Sequence, residues 1–164
     1  MSLKHKLLKS KNGLLWLVFC FVIVLALQNE RVQVPSSLYG VGFLERLDAE
    51  GHAIEKHVRK SDQYLRDRLN REKISTASTF NNMAEAESAV RSVLPKRGDI
   101  VQAWLDTERS HKKAFYHQMD KPVGRVLRRG WNAPRTGNQT RVVLIRDADY
   151  ATGFYILTAY PEYK

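Results

Sequence analysis

Acid–base chemistry in this chain has to come from a short list of side chains. The histidines are His5, His52, His57, His111 and His117, and Cys20 is the single cysteine. An imidazole is the natural proton acceptor near neutral pH, because its unperturbed pKa lies close to working conditions. One cysteine forms no intrachain disulfide and builds no cysteine-based zinc site. His52 and His57 lie five residues apart, a poor spacing for two ligands on one helical face, so no metal site is expected. The sequence contains no phosphate-cradling P-loop, no GxGxxG, no HExxH and no GxSxG. Nothing points to a cofactor. What remains is metal-free proton transfer assisted by fixed charge.

Such chemistry suits a substrate that brings its own nucleophile. RNA does so through its 2′-OH, and needs a base for that hydroxyl, cations or donors for the phosphorane and an acid for the 5′-oxygen. His57 with neighbouring arginines and hydroxyls has the residue types for this. By residue type alone, though, an isolated histidine is usually structural, and Arg66, Arg68 and Arg71 read as a solvated helix face. The formal net charge of +10 favours an acidic partner without choosing among nucleic acid, anionic lipid and acidic protein. The first 29 residues, with Lys4, Lys6, Lys9 and Lys11 and no acid, carry +4 of it, leaving +6 for the rest. Arg125, Arg128, Arg129, Arg135 and Arg141 make the second half basic and are expected to follow an RNA backbone.

The elements that must position these groups begin after a separate N-terminal segment. A basic start is followed by the unbroken apolar run Leu14 to Leu27, too short to span a bilayer comfortably. It fits the hydrophobic region of a secretory signal, or an uncleaved anchor, in a hydrophobic helix. Ala26-Leu27-Gln28 is a poor cleavage site. Residues 1–28 are therefore expected to be a signal peptide or signal anchor that places the rest of the chain outside the cytoplasm. Residues 29–42, with Pro35, two serines and two glycines, read as a linker, and the folded domain is expected over 43–164.

Within that domain the periodicity predicts helices first and strands later. Leu44, Leu47 and Ile54 suggest a helical stripe interrupted by Gly51 and ending near His57-Val58, and Ser61-Asp62 starts another helix. Thr79 to Leu94 has helical spacing, stopped by Pro95, and Ile100, Val101, Trp104 and Leu105 mark a further helix. Four strands are expected at Ala114–His117, Val123–Leu127, Val142–Ile145 and Phe154–Tyr160. Asn132–Pro134 and Thr136–Asn138 read as the loop between the second and third, and Asp147 to Gly153 as a hairpin turn. Helices grouped before an antiparallel sheet make an α+β fold.

The segments GHAIEKHVRKSDQYLRDRL, ISTASTF, PVGRVLRRG and RVVLIRDADYATGFYILTAYP occur in that order. They resemble the bacterial RNase A-like toxin domain of contact-dependent growth-inhibition proteins and other polymorphic toxins. The resemblance covers essentially all of the expected folded part. It implies N-terminal helices packed on a C-terminal antiparallel sheet, a kidney-shaped RNase A-like fold without disulfides. It also implies a metal-independent endoribonuclease toxin acting in interbacterial competition.

The family's pattern of a histidine, an arginine eleven residues later and a Thr-x-Tyr near the C-terminus falls here on His57, Arg68, Thr158 and Tyr160. His57 would be the general base and Arg68 the phosphate clamp. Thr158 and Tyr160, two apart and so on one side of a strand, would hydrogen-bond the phosphate or orient His57. His52 is the rival base, although the residue eleven positions after it is Gln63. The implied partners are RNA, with tRNA among the candidates, a cognate immunity protein, and the membrane through residues 14–27 if they are retained. The implied place of action is the cytoplasm of a target cell. A basic nucleic-acid-binding domain without catalysis is the alternative reading, and a membrane-anchored periplasmic interaction protein is a third.

Overall fold

The structure, a computed structural model, describes residues 39–164. The apolar run expected to export or anchor the chain, and most of the expected linker, lie outside the described residues. Helix α1 (Phe43–Leu47) and helix α2 (Ala53–His57) are short and separated by a turn at Gly51. Helix α3 (Asp62–Arg71) starts where Ser61 predicts, with the Ser61 hydroxyl accepting the Tyr64 N–H at 3.1 Å. Strand β1 (Thr76–Thr79) follows, then helix α4 (Met83–Val93), capped by Asn82. A 3₁₀ turn at Pro95–Arg97 leads into helix α5 (Gly98–Thr107). Strands β2 (Lys112–Arg128), β3 (Arg135–Arg146) and β4 (Phe154–Glu162) complete the chain.

The four strands form one antiparallel sheet in the order β1-β2-β3-β4. The α+β expectation holds, but the strands are not the four that periodicity gives. Thr76–Thr79, missed in the sequence, is a short polar strand with no apolar alternation to announce it. It is specified by its partner, pairing Thr76 with Arg128 through Thr79 with Arg125. The helix expected from Thr79 begins only at Met83. The two strands expected at 114–117 and 123–127 are one long strand, whose ladder with β3 breaks between Gln118 and Val123. Pro122 lacks an N–H for that ladder, so the break falls where the sequence suggests a gap. Gly124 sits there at φ +55°, and a Cβ on it would meet the Thr79 carbonyl oxygen at 2.4 Å. Thr136–Asn138, expected as loop, belongs to β3.

The main core lies between the sheet and helices α1, α2, α4 and α5. Phe43, Leu44, Phe80, Val90, Trp104, Leu144, Phe154 and Ile156 are fully buried in it. Tyr39, within the stretch read as linker, is buried too and meets Phe43 edge to face. A smaller cluster of Leu65, Leu69, Ala77 and Leu127 holds α3 against β1 and β2. The opening beside this smaller cluster is where the polar side chains gather.

Candidate active site

Gly51 is the residue from which the site is hung. A Cβ at this position would lie 2.1 Å from the Ile156 carbonyl oxygen, so only glycine lets the chain cross β4 backbone to backbone. The next N–H, of His52, donates to the Leu157 carbonyl at 3.0 Å. The buried Asp48 carboxylate then accepts the N–H groups of Ala53 and Ile54 at 2.7 and 2.8 Å, holding the start of α2. Burial pushes the Asp48 carboxyl up, against the pull of those two bonds. These contacts fix the start of α2, and His57 is its last residue.

The other end of α2 is fixed to β1. The Phe80 N–H donates to the His57 carbonyl at 2.7 Å, and Val58 bridges Phe80. The His57 ring is 7% exposed, and its Nδ1 lies 2.9 Å from the Ser78 carbonyl oxygen. A carbonyl only accepts, so this bond puts the ring proton on Nδ1 and leaves the Nε2 lone pair free. Burial drives the His57 pKa down from 6.5 to about 3, with Arg68, His52 and Lys56 adding repulsion and the Ser78 bond opposing. His57 is therefore a neutral imidazole with an open acceptor. That is the form a general base requires.

A bulge aims the last strand. Val143 pairs with Thr158 but Leu144 pairs with Ile156, so Leu157 is the extra residue. Before it, Phe154 and Ile156 point into the core; after it, Ala159 and Pro161 take the buried side. Thr158, Tyr160 and Glu162 thereby reach the opposite face. The Tyr160 ring stacks on His57 at 5.0 Å between centroids and 27° between planes. Its phenol pKa is raised by burial, with Arg141 acting against that.

Arg68 reaches the same place from α3. It is 6% exposed, and its Nε and Nη2 donate to the two Glu72 carboxylate oxygens at 3.0 and 2.9 Å. This bidentate pair holds the guanidinium plane and raises the Arg68 pKa further. Its Nη1 is buried without a hydrogen-bond partner among the described residues. A buried donor left open in this way is costly unless something accepts from it.

His57, Arg68, Thr158 and Tyr160 line one cavity of about 550 Å³, together with His52, Lys73, Ser78, Arg128, Arg141 and Glu162. The four residues singled out in the sequence, scattered over a hundred positions, are thus brought together. The rival His52 is in the same cavity, but no hydrogen bond fixes its ring among the described residues, and burial lowers its pKa. Thr158 Oγ1, Arg141 Nε and Glu162 Oε2 are buried and, like Arg68 Nη1, without a partner among the described residues. Lys73, Arg68, Arg128 and Arg141 make the lining strongly cationic, with Glu162 held 3.5 Å from Arg141. Among the described residues, no group of three or more histidine, cysteine or acidic side chains is placed to hold a metal ion.

Sequence reasoning missed three contributors. The orienting carboxylate Glu72, four residues after Arg68 on α3, carried a readable i,i+4 signal. Glu162 extends the alternation of Thr158 and Tyr160 by one more step. The Ser78 carbonyl had no signal, since it belongs to the strand that periodicity missed. Of the five arginines expected to follow RNA, Arg135 is exposed outside the cavity lining and the other four divide into two sets. Arg125 bonds Asp62 and the Lys60 carbonyl, and Arg129 bonds the carbonyls of Leu69 and Ile74, so both tie α3 and the segments flanking it to the end of β2. Arg128 and Arg141 face the cavity instead.

Comparison with known proteins gives a consistent result. A family model described as the bacterial CdiA-CT RNase A domain matches residues 51–161. The chain is also similar to a solved structure of a CdiA-CT/CdiI complex from Y. kristensenii. The two share 25% identity and a TM-score of 0.65, covering 68% of this chain and 99% of that one. No curated protein matches.

Proposed function

This chain belongs to the bacterial CdiA-CT RNase A domain family, and from that premise we propose that it is a metal-independent endoribonuclease toxin with His57 as its base. The family makes it a ribonuclease of bacterial competition, and the lining of the cavity supports the following course for the reaction. His57 Nε2 accepts the proton of the 2′-OH, the 2′-oxygen attacks phosphorus, and the bond to the 5′-oxygen breaks as that oxygen takes up a proton. The products are a 2′,3′-cyclic phosphate and a free 5′-OH. Arg68 Nη1 and Thr158 Oγ1 donate to the phosphoryl oxygens as their charge grows, and Tyr160 holds the His57 ring by stacking on it.

The observation that carries this reading is the buried His57, its Nδ1 on the Ser78 carbonyl, lining a cationic cavity beside an arginine N–H without a partner among the described residues. An anionic phosphate bound there cancels the repulsion from Arg68 and favours the imidazolium. Substrate therefore raises the proton affinity of a base that is weak in the empty site.

Delivery and protection complete the proposal. Residues 1–28 act as a signal peptide or anchor, 29–42 as a linker whose Tyr39 already packs on the domain, and 43–164 as the toxin domain, exported and active in the cytoplasm of a target cell. By analogy with the CdiA-CT/CdiI pair, a cognate immunity protein binds the domain.

The test is incubation of the purified protein with RNA in EDTA at pH 6–8, with a 2′-deoxy substitution at a defined cleavage site as control. Cleavage in EDTA, a cyclic phosphate product and resistance of the substituted site are expected. Intact RNA under these conditions would leave a nucleic-acid-binding domain without catalysis.

A further inference from the structure

One end of the cavity is built from side chains that the proton transfer does not use. Trp131 lies in the turn between β2 and β3, where its N–H donates to the Arg128 carbonyl at 2.9 Å. Arg66 on α3 ties the same turn down by donating to the Asn132 carbonyl at 2.7 Å. The Trp131 ring packs on the Leu65–Leu127 cluster and remains partly exposed. Tyr163 meets it edge to face, with centroids 5.4 Å apart and planes at 88°. Arg135 stands 4.4 Å from the Trp131 centroid and Arg128 5.2 Å, each also 5.7 Å from the Tyr163 ring. Arg128 and Tyr163 line the cavity, so this cluster continues its wall.

Elsewhere in the domain arginines are held by carboxylates or, as with Arg66, Arg97, Arg129 and Arg146, by backbone carbonyls. Arg68, Arg91, Arg125 and Arg141 each pair with a carboxylate. Among the described residues neither Arg128 nor Arg135 does, and the Arg135 guanidinium makes no hydrogen bond to the protein at all. Arg128 donates to the Tyr163 carbonyl as well as lying on the two rings, whereas aromatic faces alone hold Arg135, which leaves N–H edges of this exposed cation open to an anion. Aromatic rings interleaved with uncompensated arginines are the pairing that single-stranded nucleic acid requires. The rings and guanidinium planes take an unstacked base, and the N–H edges take a phosphate.

We propose that Trp131, Tyr163, Arg128 and Arg135 form a second nucleotide subsite, which binds an unpaired residue of single-stranded RNA flanking the scissile phosphate. The inference rests on the nuclease reading for its orientation, since the cluster abuts the cavity in which the phosphate is cleaved. It makes the domain a reader of single strands and loops rather than of continuous duplex.

The test uses the full chain and two substrate lengths. A hexanucleotide of 2′-O-methyl RNA, which cannot be cleaved because its nucleophile is blocked, is titrated into wild type, Trp131→Ala, Trp131→Phe and Arg135→Ala. Trp131→Ala and Arg135→Ala are expected to weaken binding about tenfold, and Trp131→Phe to restore most of it. Arg135→Ala should also lower the salt slope of binding by about one. Cleavable hexanucleotide and dinucleotide are then compared, and the ratio of their kcat/KM values should fall by the same factor in these variants, through KM. Arg135 is exposed, so its variant remains informative if Trp131→Ala fails to fold. Unchanged hexanucleotide binding in both variants overturns the subsite even where RNA is cleaved. Absence of cleavage with Trp131-dependent binding overturns the nuclease reading and leaves the subsite standing. Variants that lose only an acidic protein partner, with RNA binding intact, assign the patch to that protein and overturn the subsite.

Discussion

Both ends of the cavity present arginines, and they are held in opposite ways. On the floor, Arg68 is buried, clamped by the Glu72 carboxylate and open at one nitrogen. On the rim, the exposed Arg135 and the half-buried Arg128, which also donates to the Tyr163 carbonyl, lie on the rings of Trp131 and Tyr163 without a carboxylate among the described residues. A buried guanidinium needs a counter-charge to offset its desolvation, and the same low dielectric strengthens its pull on a developing charge. An exposed one needs no such partner, but it is screened by salt and adapts to what it binds. The floor is thus preorganised for a single geometry and the rim for tolerant affinity.

Changes to the floor should act on kcat and changes to the rim on KM. The largest effect is expected at His57. His57→Ala should lower kcat by about 10²–10⁴-fold with the circular dichroism spectrum unchanged, whereas His52→Ala should retain much of the activity. The reverse outcome would exchange their roles. Next comes Arg68→Lys, which keeps the charge but cannot hold Glu72 bidentately and still offer a free edge. A fall of about 10²-fold in kcat/KM is expected from steady-state kinetics, with Glu72→Gln producing a smaller loss in the same parameter. Thr158→Val, which removes one neutral donor, should cost about tenfold or less.

Arg129→Ala sharpens the contrast from the other side. It removes bonds to the Leu69 and Ile74 carbonyls, so it should lower unfolding stability by about 1–3 kcal/mol in denaturant titrations. KM and its salt dependence should not move.

The buried His57 also sets a pH dependence. The groups around it are His52, Lys56 and Arg68, the Ser78 carbonyl, Tyr160 on β4 and Arg141 beyond that ring. Its folded-state pKa lies at about 3 against 6.5 for the free side chain, so below pH 6.5 the unfolded chain takes up a proton that the folded one refuses. The stability linked to this ring is fully present above pH 6.5 and is lost as pH falls towards 3. Thermal unfolding of wild type should therefore weaken more steeply over that window than that of His57→Gln, which has no proton to take up. A parallel decline in both proteins would mean that the ring is not buried and neutral.

The members of the candidate site were more legible in the sequence than their setting. The alternation of Thr158 and Tyr160 survives because one strand turns spacing into a face, whereas His57 and Arg68 stand on different helices and were legible only through the family pattern. What holds those residues in place was less legible. The bulge at Leu157 reverses the face of β4, yet a one-residue slip leaves no mark in a run of β-forming residues. Gly51 read as an interruption of a helix, whereas it is the point at which two backbones touch. Thr76–Thr79 is too polar and too short to announce itself, and with it went the carbonyl that sets the His57 tautomer. The arginines of β2 look alike in sequence, and only their partners separate tether from lining.

The claim on which the account turns is that His57 is neutral and buried, with its free nitrogen towards the phosphate. Nitrogen-15 NMR of the His57 ring, titrated with and without an uncleavable 2′-O-methyl dinucleotide, tests it most directly. A proton on Nδ1, a pKa well below 6.5 in the free protein and an upward shift when the dinucleotide binds are expected. A ring that carries its proton on Nε2, or that titrates at 6.5 with no response to the dinucleotide, would contradict it.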